Sequence, residues 1–203
     1  MFRNLFVVIL VAAAFGTGAA LADTKTTDAS TFVHDLGDRA IKILTQKDTG
    51  PAVREQKFEK ILSTYFDLPV IARFALGRHW REASAEQRED YVALFRHYIA
   101  KSYAIKLGGY SGEKFKIVSE RVLSNKSDVL VNTRIVRLSG PPINVAWRVR
   151  NRKERKVIID VMVEGVSMAV AQRSEFSSVV RRDGLQGLLN SLRAHTTRAS
   201  AAK

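Results

Sequence analysis

The sequence predicts an α+β fold, with helices first, an antiparallel sheet next and helices again at the end. Three observations carry this. Apolar residues recur at helical spacing through the first half of the chain. After Gly112 the period drops from 3.6 to 2. Turn-forming stretches, Pro141-Pro142 and residues 151–154, separate the alternating segments. Helices folded across one face of a curved antiparallel sheet of about four strands enclose an apolar pocket, in the cone-like manner of nuclear-transport-factor-like folds. The alternation leaves open whether side chains fill that pocket.

The elements follow in order. Over 30–44, Val33, Leu36, Ala40, Ile41 and Leu44 share one helical face. Thr49-Gly50-Pro51 interrupts, and a second helix over 52–63 turns Val53, Phe58, Ile61 and Leu62 inward. Asp67 caps a short helix over 68–76, because its carboxylate accepts from free N–H groups while Pro69 occupies the first turn; Gly77 ends it. Ser84 and Gln87 have capping-box spacing ahead of a long helix over 85–107, which carries Tyr91, Leu94, Phe95, Tyr98, Ser102 and Ile105 along one side.

Strands follow at 115–122, 129–138, 143–150 and 157–163. Val129, Val131, Thr133 and Ile135 oppose Asn132 and Arg134. Ile143, Val145, Trp147 and Val149 alternate with Asn144, Ala146, Arg148 and Arg150. In the last strand Val157, Ile159, Val161 and Val163 face one way, with Asp160 and Glu164 the other. Such alternation means one covered face and one more polar face. Beyond Gly165, two helices are predicted over 174–182 and 185–194.

Residues 1–22 read as a cleaved signal peptide. Arg3 gives a positive start, Leu5 to Phe15 is wholly apolar, and Ala20-Leu21-Ala22 supplies a small-x-small cleavage site. A membrane-spanning helix needs about 20 apolar residues, and Gly16, Thr17 and Gly18 end this run early. Removing residues 1–22 from 203 leaves 181. That is one domain over 23–195, with room for a small helical lobe and a flexible tail over 196–203. The chain has no cysteine, which excludes disulfides, thiolate metal sites and lipid attachment behind the signal. The product is expected to be soluble and periplasmic.

The formal charge is +13, or +12 once Arg3 leaves. This balance favours anionic partners: nucleic acid, acidic lipid head groups or an acidic protein face. Export turns the expectation away from nucleic acid, and the basic stretch 148–156 lacks the aromatic interleaving that stacks bases. The histidines His34, His79, His97 and His195 have no i, i+4 pairing, so no metal site is expected. Gly165-Val-Ser167 reads as a strand-end turn, because Ala169 breaks the G-x-S-x-G pattern of a nucleophile elbow. His79 beside Trp80 reads as structural.

Two stretches carry a resemblance. One runs from Tyr65 to Trp80 (YFDLPVIARFALGRHW) and on through Ser84-Ala-Glu-Gln-Arg88 to Phe95 and Tyr103. The other is Val163-Glu-Gly-Val-Ser-Met168, followed by Gln172-Arg-Ser-Glu-Phe176 and Gly184-Leu185. Together they resemble the MlaC (toluene-tolerance) family of periplasmic phospholipid-binding proteins, over about residues 30–193. The family pattern has an aromatic where this chain has Lys156. The resemblance implies a carrier without enzymatic activity or cofactor. Its partners would be a glycerophospholipid, an inner-membrane ABC transporter complex and an outer-membrane lipoprotein–porin complex, with transient contact at the membrane surface. Such a carrier helps maintain outer-membrane lipid asymmetry.

On that reading the lipid-facing candidates are Val131, Ile135, Val145, Trp147, Val149, Val161 and Val163 on the sheet. Tyr98, Tyr103, Ile105 and Leu107 are the candidates on the long helix. Arg148, Arg150, Arg152, Lys153 and Arg155 are candidates for partner or head-group contact. Besides a purely structural envelope adaptor with a solid core and no ligand, two alternatives stand beside it. One is a hopanoid-associated (HpnM-like) carrier of a polycyclic lipid. The other is a small enzyme on a cone-shaped fold, with Asp160 or Asp67 as general base; Asp160 falls on the strand face opposite the apolar set, which weighs against it.

Overall fold

A computed structural model describes residues 28–46, 50–107, 112–153 and 155–198; the side chains of residues 51, 52, 54, 104–107 and 196–198 are outside that description. The predicted signal segment therefore lies outside the described residues. The elements are α1 (Asp28–Leu44), α2 (Pro51–Tyr65), α3 (Leu68–Leu76), α4 (His79–Glu82), α5 (Ala85–Leu107), β1 (Lys114–Val122), β2 (Asp128–Val136), β3 (Ile143–Asn151), β4 (Lys156–Val163), β5 (Val166–Ser167) and α6 (Met168–Arg198). The strands form one antiparallel meander in the order β1-β2-β3-β4-β5. The α+β class and the helix-on-sheet layering are as predicted. The fifth strand is an addition of two residues.

The helix ends obey the local chemistry. Asp67 accepts from the Val70 N–H at 3.3 Å at the start of α3, and Gly77 closes it at φ 62. Ser84 and Gln87 satisfy each other reciprocally at 3.0 and 3.1 Å before α5. The β4–β5 connection is a tight turn with positive φ at both Glu164 and Gly165, the geometry that matches strand twist in a hairpin.

Two predictions about the last elements are corrected. The final helical run begins at Met168 rather than at 174, because Ser167 and Asp160 cap it: the Val170 N–H donates to Ser167 Oγ at 3.1 Å and the Ala169 N–H to Asp160 Oδ1 at 3.2 Å. The predicted break survives only as Gly184, non-helical at φ 71 within α6, and the helix continues past 195 to Arg198. In β4, Val149 pairs with Ile158 and Arg148 with Asp160, so Ile159 is the extra residue of a bulge. The bulge shifts the phase, and Ile158 rather than Val157 or Ile159 joins the apolar face shared with Val149 and Val131.

Among the described residues the buried side chains fall into two packed cores. One lies among the helices, where Tyr91, Phe95 and Phe176 meet at 5.9 to 6.2 Å, two of the three pairs edge-on. The Tyr91 hydroxyl donates to the Ala72 carbonyl at 3.0 Å, which satisfies its polar tip, and burial raises its pKa. The two sequence blocks of the family resemblance meet here, since Phe95 belongs to the first and Phe176 to the second. The other core sits where α1 and α2 close on the sheet, through Val33, Leu36, Ile61, Val131, Val149 and Ile158. The α2–α3 joint is stitched to β4 by the Asp67 N–H, which donates to the Ile158 carbonyl at 3.0 Å. Lys156, the departure from the family pattern, ion-pairs with Asp28 and ties the start of β4 to the start of α1.

Candidate functional site

Between the helices and the sheet the packing is incomplete, and two cavities remain. The first, about 240 Å³, is walled by Phe58, Leu62 and Phe66, by Leu68 and Ile71 of α3, and by Phe95, Ile99 and Tyr103 of α5. Ile135, Val145, Trp147, Asp160, Val161 and Val163 close it from the sheet, and Met168, Ala169 and Gln172 from α6. The second, about 340 Å³, lies under α1, with Leu36, Gly37, Ala40, Ile41 and Leu44. Phe58, Ile61, Leu62, Phe66, Phe115, Ile135, Ile143 and Trp147 complete its apolar wall, and Glu113 and Arg137 form its polar part. Gly37 is required for this wall: a Cβ there would stand 2.8 Å from the Phe115 ring.

Phe58, Leu62, Phe66, Ile135 and Trp147 line both cavities, so the two adjoin along these side chains. Trp147 is oriented by its own hydrogen bond, donating Nε1–H to Thr133 Oγ1 at 2.9 Å. Thr133 donates in turn to the Val145 carbonyl at 3.0 Å. The ring also meets Phe115 edge-on at 6.2 Å. The polar end of the tryptophan is thus satisfied inside the sheet, and its apolar body is left to the cavities.

Six of the predicted lipid-facing residues reach a cavity: Tyr103, Ile135, Val145, Trp147, Val161 and Val163. Three do not. Val131 and Val149 have no exposed surface and pack in the α1–α2 core, because the helices press onto that end of the sheet. Tyr98 stacks on Phe176 and His195, turned toward α6. The side chains of Ile105 and Leu107 lie outside the described residues. Sequence reasoning missed the contributions of α1, α2 and α3, although Leu36, Ala40 and Leu44, like Phe58, Ile61 and Leu62, stand at spacings that share a helix face.

The basic hairpin lines neither cavity. From Val145 to Arg152 the strand climbs about 23 Å at 3.3 Å per residue, so the hairpin lies at the far end of the sheet. Arg148 and Arg150 are held by Asp128, whose side chain is fully buried, at 2.7 Å each. Arg152 is held by Asp67. Arg148, Arg150 and Arg152, expected to contact a partner or a head group, thus also carry ion pairs within the chain, and Arg152, Lys153 and Arg155 are exposed at the tip. Hydrogen bonds from Arg150, reinforced by Asn125 and Arg148, hold the Asp128 carboxyl far below the usual carboxylate range against the opposing effect of burial.

Asp160 also needs correction, since it does line the first cavity. Its oxygens are already taken, accepting from the Val161 N–H at 2.8 Å, Ser167 Oγ at 2.6 Å and the Ala169 N–H at 3.2 Å. Ser167, the serine of the G-V-S step, is committed to this cap. Tyr103 is pushed to a higher pKa by burial first, with Tyr98 and Asp160 adding to it, so it is a neutral wall residue at ordinary pH. No histidine, cysteine or carboxylate cluster of metal-binding geometry occurs among the described residues. No helix among them is long and apolar enough to cross a membrane.

A meander sheet roofed by helices over adjoining apolar cavities defines the class: an α+β protein with a preformed hydrophobic pocket. The family model of the MlaC protein matches residues 34–194, and the chain belongs to that family. It is 28% identical over 134 residues to the intermembrane phospholipid transport system binding protein MlaC of Haemophilus influenzae (strain ATCC 51907 / DSM 11121 / KW20 / Rd); the match covers 64% of this chain and 63% of that relative's length. A phospholipid-binding protein from Ralstonia solanacearum, solved in complex with a phospholipid, has the same fold, with a TM-score of 0.73 at 20% identity. That match covers 86% of this chain and 99% of the other.

Proposed function

We propose that this chain is an exported carrier of diacyl phospholipid that holds acyl chains in the two cavities. The observation that carries the reading is the pair of adjoining apolar cavities between helices and sheet, which share Trp147, Ile135, Phe58, Leu62 and Phe66. Each buried methylene is worth about 0.8 kcal/mol relative to water, but a bilayer offers the same shelter. A carrier works near balance only if its walls are about as apolar as the membrane, and these walls carry few polar groups. The Asp160 oxygens accept from three donors, which offsets the cost of placing a polar group in the wall. The bound phospholipid of the Ralstonia solanacearum protein supports the same reading.

On this reading residues 1–22 direct export and are removed in the periplasm. The mature protein exchanges lipid between an outer-membrane lipoprotein–porin complex and an inner-membrane ABC transporter complex, and thereby maintains outer-membrane asymmetry. It carries out no catalysis and needs no cofactor. Mass spectrometry of the natively purified protein tests this, with a diacyl phospholipid expected to co-purify. Protein that carries no lipid, and that when delipidated extracts no labelled phospholipid from liposomes, would overturn it.

A further inference from the structure

The outer faces of α3, α4 and α6 carry a concentration of unpaired charge that neither cavity uses. Arg73, Arg78, Arg81, Arg173 and Arg181 are exposed, and among the described residues none has a carboxylate partner. Other arginines do have one: Arg148 and Arg150 hold Asp128, Arg152 holds Asp67, Arg182 holds Asp183 and Arg193 holds Asp90. Two of them, Arg173 and Arg181, line a groove of about 360 Å³ between α3 and α6, together with Phe74, Val170, Ser174 and Ser177.

The groove has direction and chemistry. Positions 170, 173, 174, 177 and 181 recur every three or four residues, so they form one stripe along α6, about 16 Å long at 1.5 Å per residue. Its apolar part is Phe74, 42% exposed, and Val170, 54% exposed. Its charge is held in place: the Arg173 guanidinium lies 5.3 Å from the Phe74 ring centroid, and a Cβ at Gly77 would stand 2.8 Å from Arg173 Nε. A guanidinium positioned from two sides loses little freedom when it binds.

We propose that this groove docks an acidic segment of a partner protein, with carboxylates on Arg173 and Arg181 and an apolar side chain over Phe74 and Val170. Guanidinium forks match carboxylates in pairs, and unpaired arginines gain what paired ones have already spent. The pattern selects the class of partner: a short open stripe with two guanidiniums beside two apolar side chains can be matched residue by residue by one extended acidic segment. The inner sides of the same elements, through Ile71, Met168, Ala169 and Gln172, wall the first cavity. A segment seated here therefore rests on the helices that hold the cargo; this last link depends on the carrier reading above.

The test uses the full mature chain, a fluorescein-labelled glutamate-rich peptide bearing one phenylalanine, and phosphatidylcholine vesicles containing phosphatidylglycerol. The native protein is expected to bind the peptide with a salt-sensitive Kd. Arg181→Glu and Ser174→Glu, both at exposed positions, should each weaken it about tenfold, as reversal of an exposed pair allows. Lys153→Glu with Arg155→Glu at the exposed hairpin tip should leave it unchanged. Thermal unfolding checks that every variant is folded. Lipid content measured on the same samples separates the two ideas: a lipid-free protein that still binds peptide at the groove keeps this site and loses the carrier reading. Equal weakening by hairpin and groove variants would reduce the effect to net charge and overturn the proposal. So would absence of peptide binding, or groove variants that lose only vesicle binding.

Discussion

Trp147 donates its indole N–H to Thr133 Oγ1 at 2.9 Å, across neighbouring strands β3 and β2. The bond fixes the tryptophan that both cavities share. Without an acceptor, the indole would have to find another partner or leave a half-buried donor unsatisfied, at a cost of about 1–3 kcal/mol. Thr133→Val keeps the shape and removes the acceptor. It is expected to lower stability by about that amount and to broaden the Trp147 fluorescence in a Trp80→Phe background. Trp147→Phe removes the donor, so the Thr133→Val, Trp147→Phe double variant should lose less than the sum of the singles.

The position of a valine along the sheet should decide what its replacement does. Val145 lines the first cavity and Val131 is packed solid, although both face the helices. Val145→Glu is expected to leave a folded protein with little or no lipid. Val131→Ala should keep its lipid and cost about 2 kcal/mol, as a buried truncation does. Lipid analysis beside thermal unfolding of the delipidated forms reads both. An unfolded Val145→Glu protein, or one with its lipid unchanged, would place the pocket elsewhere.

These valines show how far the sequence was legible. Period-2 alternation identifies the inward face of a strand, and that face was read correctly for Val131, Val145, Trp147 and Val149. It carries no information on how closely a helix approaches at each step along the strand, and that distance separates a packed Val149 from a cavity-lining Val145. The bulge at Ile159 was equally invisible, because an inserted residue looks like one more member of an apolar run. Charge was the hardest to read. Arg148 and Arg150 look like a basic surface in sequence, yet both are committed to Asp128, twenty or more positions earlier in the chain. Caps were easier, since Asp67, Ser84 and Gln87 act on residues within a single turn.

Asp128 should be a principal acid-sensitive anchor of the sheet. Its folded-state pKa is depressed by Arg150, Asn125 and Arg148, so the stabilisation is fully present above the unfolded value of about 3.9. It is lost as pH falls below that value toward the depressed folded pKa. Asp128→Ala removes the shared partner of two part-exposed arginines and is expected to cost about 1–3 kcal/mol at neutral pH. The variant should also show a flatter fall in stability between pH 4 and pH 2 than the native protein, measured by denaturant unfolding across that range. A parallel fall in both would assign the acid sensitivity to other carboxylates.

Asp160 separates a structural carboxylate from a reactive one. It lies in the wall of the first cavity, where a general base would have to be, but its oxygens hold the start of α6 through Ser167 and the Ala169 N–H. Asp160→Ala removes these acceptors together and leaves the buried Ala169 N–H without a partner. The expected cost is about 1–3 kcal/mol. Because Met168, Ala169 and Gln172 belong to the same wall, lipid should also leave this variant faster. Asp160→Asn keeps one oxygen for the backbone donors and offers an N–H to the Ser167 hydroxyl, which can accept as well as donate. It should therefore recover most of the stability and most of the lipid retention. A reactive carboxylate would behave differently, since asparagine cannot take up a proton and would fail as completely as alanine. Thermal unfolding and the rate of lipid transfer to acceptor vesicles distinguish the two cases, and an asparagine variant no better than alanine would refute the capping role.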